Sequence, residues 1–135
     1  MKKRGATILL YNGEGSLLLF LRDDKPGLPC ANMWDLPGGH VEAGETPDDC
    51  IVREMREELG VDIKNSVLFR IYEFDDRTDH VFSAPFSRDA GDLKLTEGQA
   101  LGWFTESEIE GMELAFGFNR VTNDFFASRL PKKPA

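Results

Sequence analysis

Histidine and cysteine are scarce in this chain of 135 residues, at two each. Cys30 and Cys50 lack metal-type spacing, and one pair cannot build a disulfide framework. The expectation is a reduced pair in a cytoplasmic protein. His40 and His80 have no partner spacing, so neither is given a chemical role. No apolar run approaches the roughly 20 residues of a membrane span. The apolar stretch after the basic start, Ala6 to Tyr11, breaks at "NGEG". It is short for a signal peptide and reads as a strand. A basic excess is missing too: 24 acidic residues stand against 16 Lys and Arg, a formal charge of −8. That argues against duplex nucleic acid and anionic membranes as partners. Such a chain suits cations and, through them, polyphosphates.

What is present is a core. The chain is 41% hydrophobic and 30% charged, which suits one globular domain over residues 1–130 with a polar tail, "PKKPA", at 131–135. "ATILLYN" and "SLLLFLR" read as a hairpin around "GEG". A long loop rich in Pro, Gly, Asp and Asn follows, and such loops usually carry function. "SVLFRIYEFDD" and "HVFSAPFSR" read as strands around a polar turn, "RTD". "ALGWFT" is a further strand. Thr105 and Glu108 form a capping box for a short helix, "ESEIEGM". Phe118, Val121, Phe125 and Phe126 share one face of a last, core-packing helix. Strands, helix, strands, helix make a mixed α/β class.

The central helix is the most marked element. Thr46 is a good N-cap and Pro47 suits the first helical position. Asp48 and Asp49 favour the positive end of the dipole, and Gly60 stops the helix. The expected span is Pro47 to Leu59. Ile51, Val52, Met55 and Leu59 fall on one stripe. Glu54, Glu57 and Glu58 fall on another arc, as like-charged neighbours that cost about 0.2–0.5 kcal/mol a pair when exposed. Two readings stand for that arc. One is a solvated face softened by Arg56 and by Arg53, which reaches Glu57 at i,i+4. The other is a platform for a divalent cation, whose oxygen ligands would come from successive turns. The loop "LPGGHVEAGET" favours the second. Its glycines Gly38, Gly39 and Gly44 let backbone approach a ligand closely. Glu45 is placed to hold Arg53 or the loop.

These residues resemble the Nudix hydrolase box. The pattern is met by Gly39, Glu45, Arg53, Glu54, Met55, Glu57, Glu58, Gly60 and Val61, with every gap correct across 23 residues. The resemblance implies an α/β/α sandwich with a mixed sheet and the box as loop–helix–loop. It implies hydrolysis of a nucleoside diphosphate linked to another group, a nucleoside triphosphate or a nucleotide sugar, with Mg²⁺ (or Mn²⁺) as cofactor. Water would attack a phosphorus of the diphosphate. Carried over by position, Glu54, Glu57 and Glu58 would be metal ligands with the carbonyl of Gly38. Glu54 or Glu57 would take the proton of the attacking water. Arg53 would orient a glutamate. "TEGQALGWF" resembles the segment that supplies a distal glutamate in MutT-type members. Glu97 is therefore a ligand, a base, or an exposed loop glutamate.

Substrate choice is written less plainly. Arg22 suits a phosphate, Asp35 a base or sugar, and Gly39 close backbone approach. Trp34 stacks or packs. Asn119 lies where MutT-type enzymes read a purine edge, yet Asn is also an ordinary N-cap. The marker proline of ADP-ribose branches is missing shortly after the box. Tyr72, inside an apolar strand, is not taken as the tyrosine of dinucleoside-polyphosphate branches. The partner is a small nucleotide; monomer and homodimer stay open. The alternative is a Nudix-shaped module that senses a nucleotide without cleaving it, which would be expected to have lost box carboxylates.

Overall fold

A computed structural model describes residues 2–129; the expected tail at 131–135 lies outside them. Strands β1 (Lys3–Tyr11) and β2 (Leu17–Leu21) form the expected antiparallel hairpin. The long loop then yields two short strands, β3 (Trp34–Asp35) and β4 (Gly38–His40). Helix α1 covers Pro47–Leu59, followed by β5 (Val67–Glu73), β6 (Arg77–Pro85) and β7 (Ala100–Phe104). Helices α2 (Glu106–Glu110) and α3 (Asn119–Ser128) close the described chain.

The sheet runs β3-β2-β1-β6-β5, with β4 added on β1 and β7 on β2. Strands β1 and β6 are parallel and in register from Lys3↔Arg77 to Tyr11↔Pro85; the other pairings are antiparallel. The sheet is therefore mixed. Alternation along β1 divides the core in two. Ile8 and Leu10 meet Ile51 and Met55 of α1 on one face. Leu9 and Val81 meet Val121 and Phe125 of α3 on the other. Each such fully buried side chain contributes about 1.5–3 kcal/mol. The result is the expected α/β/α sandwich.

Two details depart from the sequence reading. The turn between β5 and β6 is Phe74–Asp76, and "RTD" lies inside β6. Val52 is 36% exposed, and Cys50 takes its place against the sheet. At about 100° per residue Cys50 and Val52 lie on opposite sides of Ile51, and the sheet covers the Cys50 side.

Candidate active site

The capping expected of α1 is present. The Thr46 hydroxyl accepts from the Asp49 N–H at 3.1 Å, and the Asp49 carboxylate accepts from the Thr46 N–H. Asp49 thus fills the capping-box role. This fixes where α1 begins, and hence which way its glutamates point.

Before the helix, two glycines are sterically required. Gly38 has φ +151°. A Cβ there would sit 2.2 Å from the Ala6 carbonyl oxygen and 2.8 Å from Thr7 Cα, because β4 is pressed onto β1. At Gly39 a Cβ would sit 2.4 Å from the carboxyl carbon of Glu54. The bare backbone of β4 is the seat on which Glu54 lies.

Arg53 is the hub of the acidic cluster. Its Nε donates to Glu45 Oε2 at 2.7 Å and its Nη2 to Glu45 Oε1 at 3.0 Å, a forked pair. Its Nη1 reaches Glu54 Oε1 at 2.6 Å and Glu57 Oε2 at 3.3 Å. Its Nη2 also donates to the His40 carbonyl at 3.2 Å. The Arg53 hydrogen bonds, with that from the Glu42 N–H, pull Glu45 down to about 2. The guanidinium is held even more firmly charged by these partners. So Glu45 anchors Arg53, and Arg53 aims Glu54.

Glu58 lies deeper. Burial pushes its carboxyl up to about 9, helped by a hydrogen bond with Glu54 and by the charges of Glu54, Glu97 and Asp35. A carboxyl keeps a proton so far above its usual range for want of a counter-charge. Among the described residues no three acidic, histidine or cysteine side chains already converge as an ion's ligands would. Glu54 is drawn to Arg53, and the Glu57 side chain is 61% exposed. The donor set nonetheless fits a hard divalent ion: carboxylates on successive turns, backed by an arginine that organises rather than replaces the ion.

One cleft of about 720 Å³ gathers Gly38, Gly39, Glu54, Glu57, Glu58 and Glu97 with Arg22 and Asp35. Arg53 supports it from behind. Arg22 Nη1 donates to Asp35 Oδ2 at 3.1 Å, and its Nε to the Pro29 carbonyl. Burial raises Asp35 to about 6 against the opposing pull of Arg22 and of the Leu36 N–H. His40 is exposed at the cleft rim. Trp34 packs edge-on against Phe104, with centroids 4.7 Å apart, and does not line the cleft.

Asn119 stands apart. It is the first residue of α3 rather than its cap. Its side-chain oxygen accepts from the Leu114 N–H at 2.8 Å, and its amide donates to the Met112 carbonyl at 2.9 Å. It ties the 112–118 loop together. One bond from each group is used there, and it does not line the cleft.

Several cleft residues were not read from sequence. Asp79, Thr7, Arg77, Phe116 and Phe118 also line the cleft. The Thr7 hydroxyl donates to Asp79 Oδ1 at 2.9 Å. Arg77 donates to Asp79, to Asp76 and to the Phe116 carbonyl, and lies 4.0 Å from the Phe74 centroid. Burial raises Asp79, opposed by Thr7 and Arg77. Phe116 has φ +56°, unusual for a bulky residue. The Arg77 bond and an N–H···Sγ contact to Cys30 at 3.4 Å hold it so. The sequence around them gave no such signal: "RTD" reads as a polar turn, whereas it begins β6.

The raised Asp35 gives a pH prediction. Folded Asp35 binds protons more tightly than unfolded Asp, from the ordinary 3.8 to about 6. Over that window the native state holds more protons, so stability falls as pH rises. Asp35→Asn removes this slope. Relative to the variant, the wild type should lose on the order of 3 kcal/mol between pH 4 and 7. Urea melts of both proteins across that range check it; parallel curves would refute it.

Comparison with known proteins agrees with the geometry. The NUDIX domain family model matches residues 1–125. The 8-oxo-dGTP diphosphatase of Escherichia coli K12 is 38% identical over 107 residues, 78% of this chain and 82% of its own length. The CTP pyrophosphohydrolase of the same strain is 30% identical over 134 residues, 98% of both chains. The MutT protein of Methanosarcina mazei Go1 superposes with a TM-score of 0.74 at 25% identity, covering 96% of each chain. With the box intact and the match spanning nearly the whole length, this chain belongs to the Nudix family of hydrolases.

Proposed function

We propose that the protein cleaves the diphosphate linkage of a nucleoside diphosphate linked to a further group, with Mg²⁺ (or Mn²⁺) as cofactor. The nucleoside triphosphates and nucleotide sugars are the substrate classes that fit. One observation carries the reading: Arg53, pinned by Glu45, holds Glu54 beside a half-buried Glu58 on the wall of a cleft large enough for a nucleotide. Two of the relatives act on 8-oxo-dGTP and on CTP by their names. These differ in base, and share a pyrophosphate chain.

Glu54, Glu57, Glu58 and the Gly38 carbonyl would hold the cation, with Glu97 as a further ligand from the segment that Thr96 ties to the Glu57 and Glu58 carbonyls. The ion would supply charge neutralisation for the pyrophosphate and a more acidic water. Glu54 would take that water's proton, a role supported by the Arg53 bond that holds its carboxylate at 2.6 Å. Glu57, less confined, is the other candidate base. Arg22, at 3.1 Å from Asp35, offers its remaining donors to phosphate or sugar oxygens. The box carboxylates are all in place, so the sensing-module reading has no observation in its favour. Two unpaired cysteines, one of them buried, suit the cytoplasm.

The test is direct. Nucleoside triphosphates, nucleotide sugars, ADP-ribose and dinucleoside polyphosphates are screened for phosphate release after phosphatase coupling. Turnover should require Mg²⁺ or Mn²⁺ and stop with a chelator. Millimolar cation alone should raise the melting temperature, because an ion bound only by the folded state relieves the clustered charge. Chelator-resistant cleavage, or a melt indifferent to cation, would count against the reading.

A further inference from the structure

The last turn of α1 leaves carbonyls without partners inside the helix. The Gly60 N–H takes that of Arg56. Those of Glu57 and Glu58 are taken by one residue of a segment far along the chain, Thr96. Its hydroxyl donates to the Glu57 carbonyl at 3.0 Å, and its N–H to the Glu58 carbonyl at 3.2 Å. The next residue is Glu97. Two residues beyond it the segment is fastened again, to β2 and the loop that follows β2. The Gln99 N–H donates to the Leu21 carbonyl at 2.8 Å. Its side-chain amide donates to the Arg22 carbonyl at 2.8 Å and to Asn32 Oδ1 at 2.9 Å. Between the two anchors, Gly98 lies so close to β2 that a Cβ would sit 2.8 Å from the Leu21 carbonyl oxygen. Before them, Leu95 packs against the core beneath α1. Glu97 is thus the middle of a short strap tied at both ends.

Glu97 is exposed, and the backbone on either side is what fixes it. It lines the cleft with Glu54, Glu57 and Glu58, near enough for its charge to act on Glu58. The Thr96 bonds are exposed as well. Water would serve those carbonyls nearly as well, but it would not bring a carboxylate to the box. The carbonyls that Thr96 grips belong to two residues whose own side chains would hold the ion. We infer that Thr96 is a positioning residue for the cation site: it sets Glu97 against Glu57 and Glu58, so that the distal carboxylate is in place before the ion arrives. This rests on the cation reading of the site and names what completes it.

The test reads metal binding and needs no turnover. The whole protein is titrated with Mn²⁺ alone, and the free ion is followed by its paramagnetic resonance. Thr96→Val keeps the shape and the N–H and loses the hydroxyl. It should weaken Mn²⁺ binding about tenfold, as loss of an orienting partner does at metal sites, while the melt without cation stays close to that of the wild type. Thr96→Ser, which keeps the hydroxyl, should bind as the wild type does. Glu97→Gln should weaken binding by a similar factor. Adding Thr96→Val to it should cost nothing more, since the threonine acts through the glutamate. Should Thr96→Val not fold, Gln99→Ala, which frees the other end of the strap, takes its place in the same cycle. Unchanged binding in Thr96→Val or in Glu97→Gln, a serine that does not rescue, or an equal further loss in the double variant overturns the inference and leaves the cation reading standing. A wild type that binds no Mn²⁺ overturns both.

Discussion

Glu58→Gln should cut kcat by two to four orders of magnitude and leave the fold intact. Glutamine keeps the volume of the side chain and its ability to bond Glu54, and it cannot ligate a cation as an anion. Burial and the charges of Glu54, Glu97 and Asp35 already work against a charge at this position. Removing the acid should therefore cost little stability without cation, while the stabilisation by Mg²⁺ shrinks. Glu57→Gln tests the same idea from the exposed side of the arc, where the loss is again catalytic. The magnitude follows from losing a ligand that acts mainly on the transition state, which lowers kcat and kcat/KM together. The measurements are steady-state kinetics and melting curves with and without Mg²⁺. Normal turnover in both variants would remove the acidic cluster from the mechanism.

The second large effect separates two neighbouring glycines. Gly38→Ala should destabilise the protein by on the order of 3 kcal/mol or more, because its methyl meets the backbone of β1 and its φ is one that L residues avoid. Backbone cannot step aside without breaking the β4·β1 pairing. Gly39→Ala meets a side chain instead. Glu54 can rotate away, so the fold should survive with a shift in melting temperature of a few degrees. Glu54 then leaves both Arg53 and the cleft, and kcat/KM should fall about a hundredfold. Melts and kinetics on the two variants separate the roles. Equal loss of stability in both, or an active Gly39→Ala enzyme, would contradict the contacts described.

How far the sequence carried can be argued from particular residues. Thr46, Pro47 and Gly60 are local signals, and they gave the limits of α1 as observed. The Arg53–Glu45 pair was also legible, since both belong to one fixed-gap pattern. Asp79 was not. Its neighbours Arg77 and Thr78 made a polar triplet that reads as a turn, and only pairing with a strand 74 positions earlier turns it inward. Asn119 shows a different limit. Its residue type suits a cap or a base reader; Phe118 is the cap, and Asn119 bonds the Leu114 N–H and the Met112 carbonyl, contacts that no local signal announces. Strand β4 is three residues long and two of them are glycine, so it carries no alternation to read.

The β1–β6 pairing also sets when the site can exist. Arg77 must find Lys3, and Pro85 must find Tyr11, before either end of the cleft has a floor. Such distant pairings close large loops and form slowly. During synthesis β1, β4 and the box helix leave the ribosome well before β6 does. The nascent chain therefore passes through a stage in which its acidic helix has β1 and β4 to rest on while the cleft still lacks its β6 wall, and catalytic competence arrives only with the later strands.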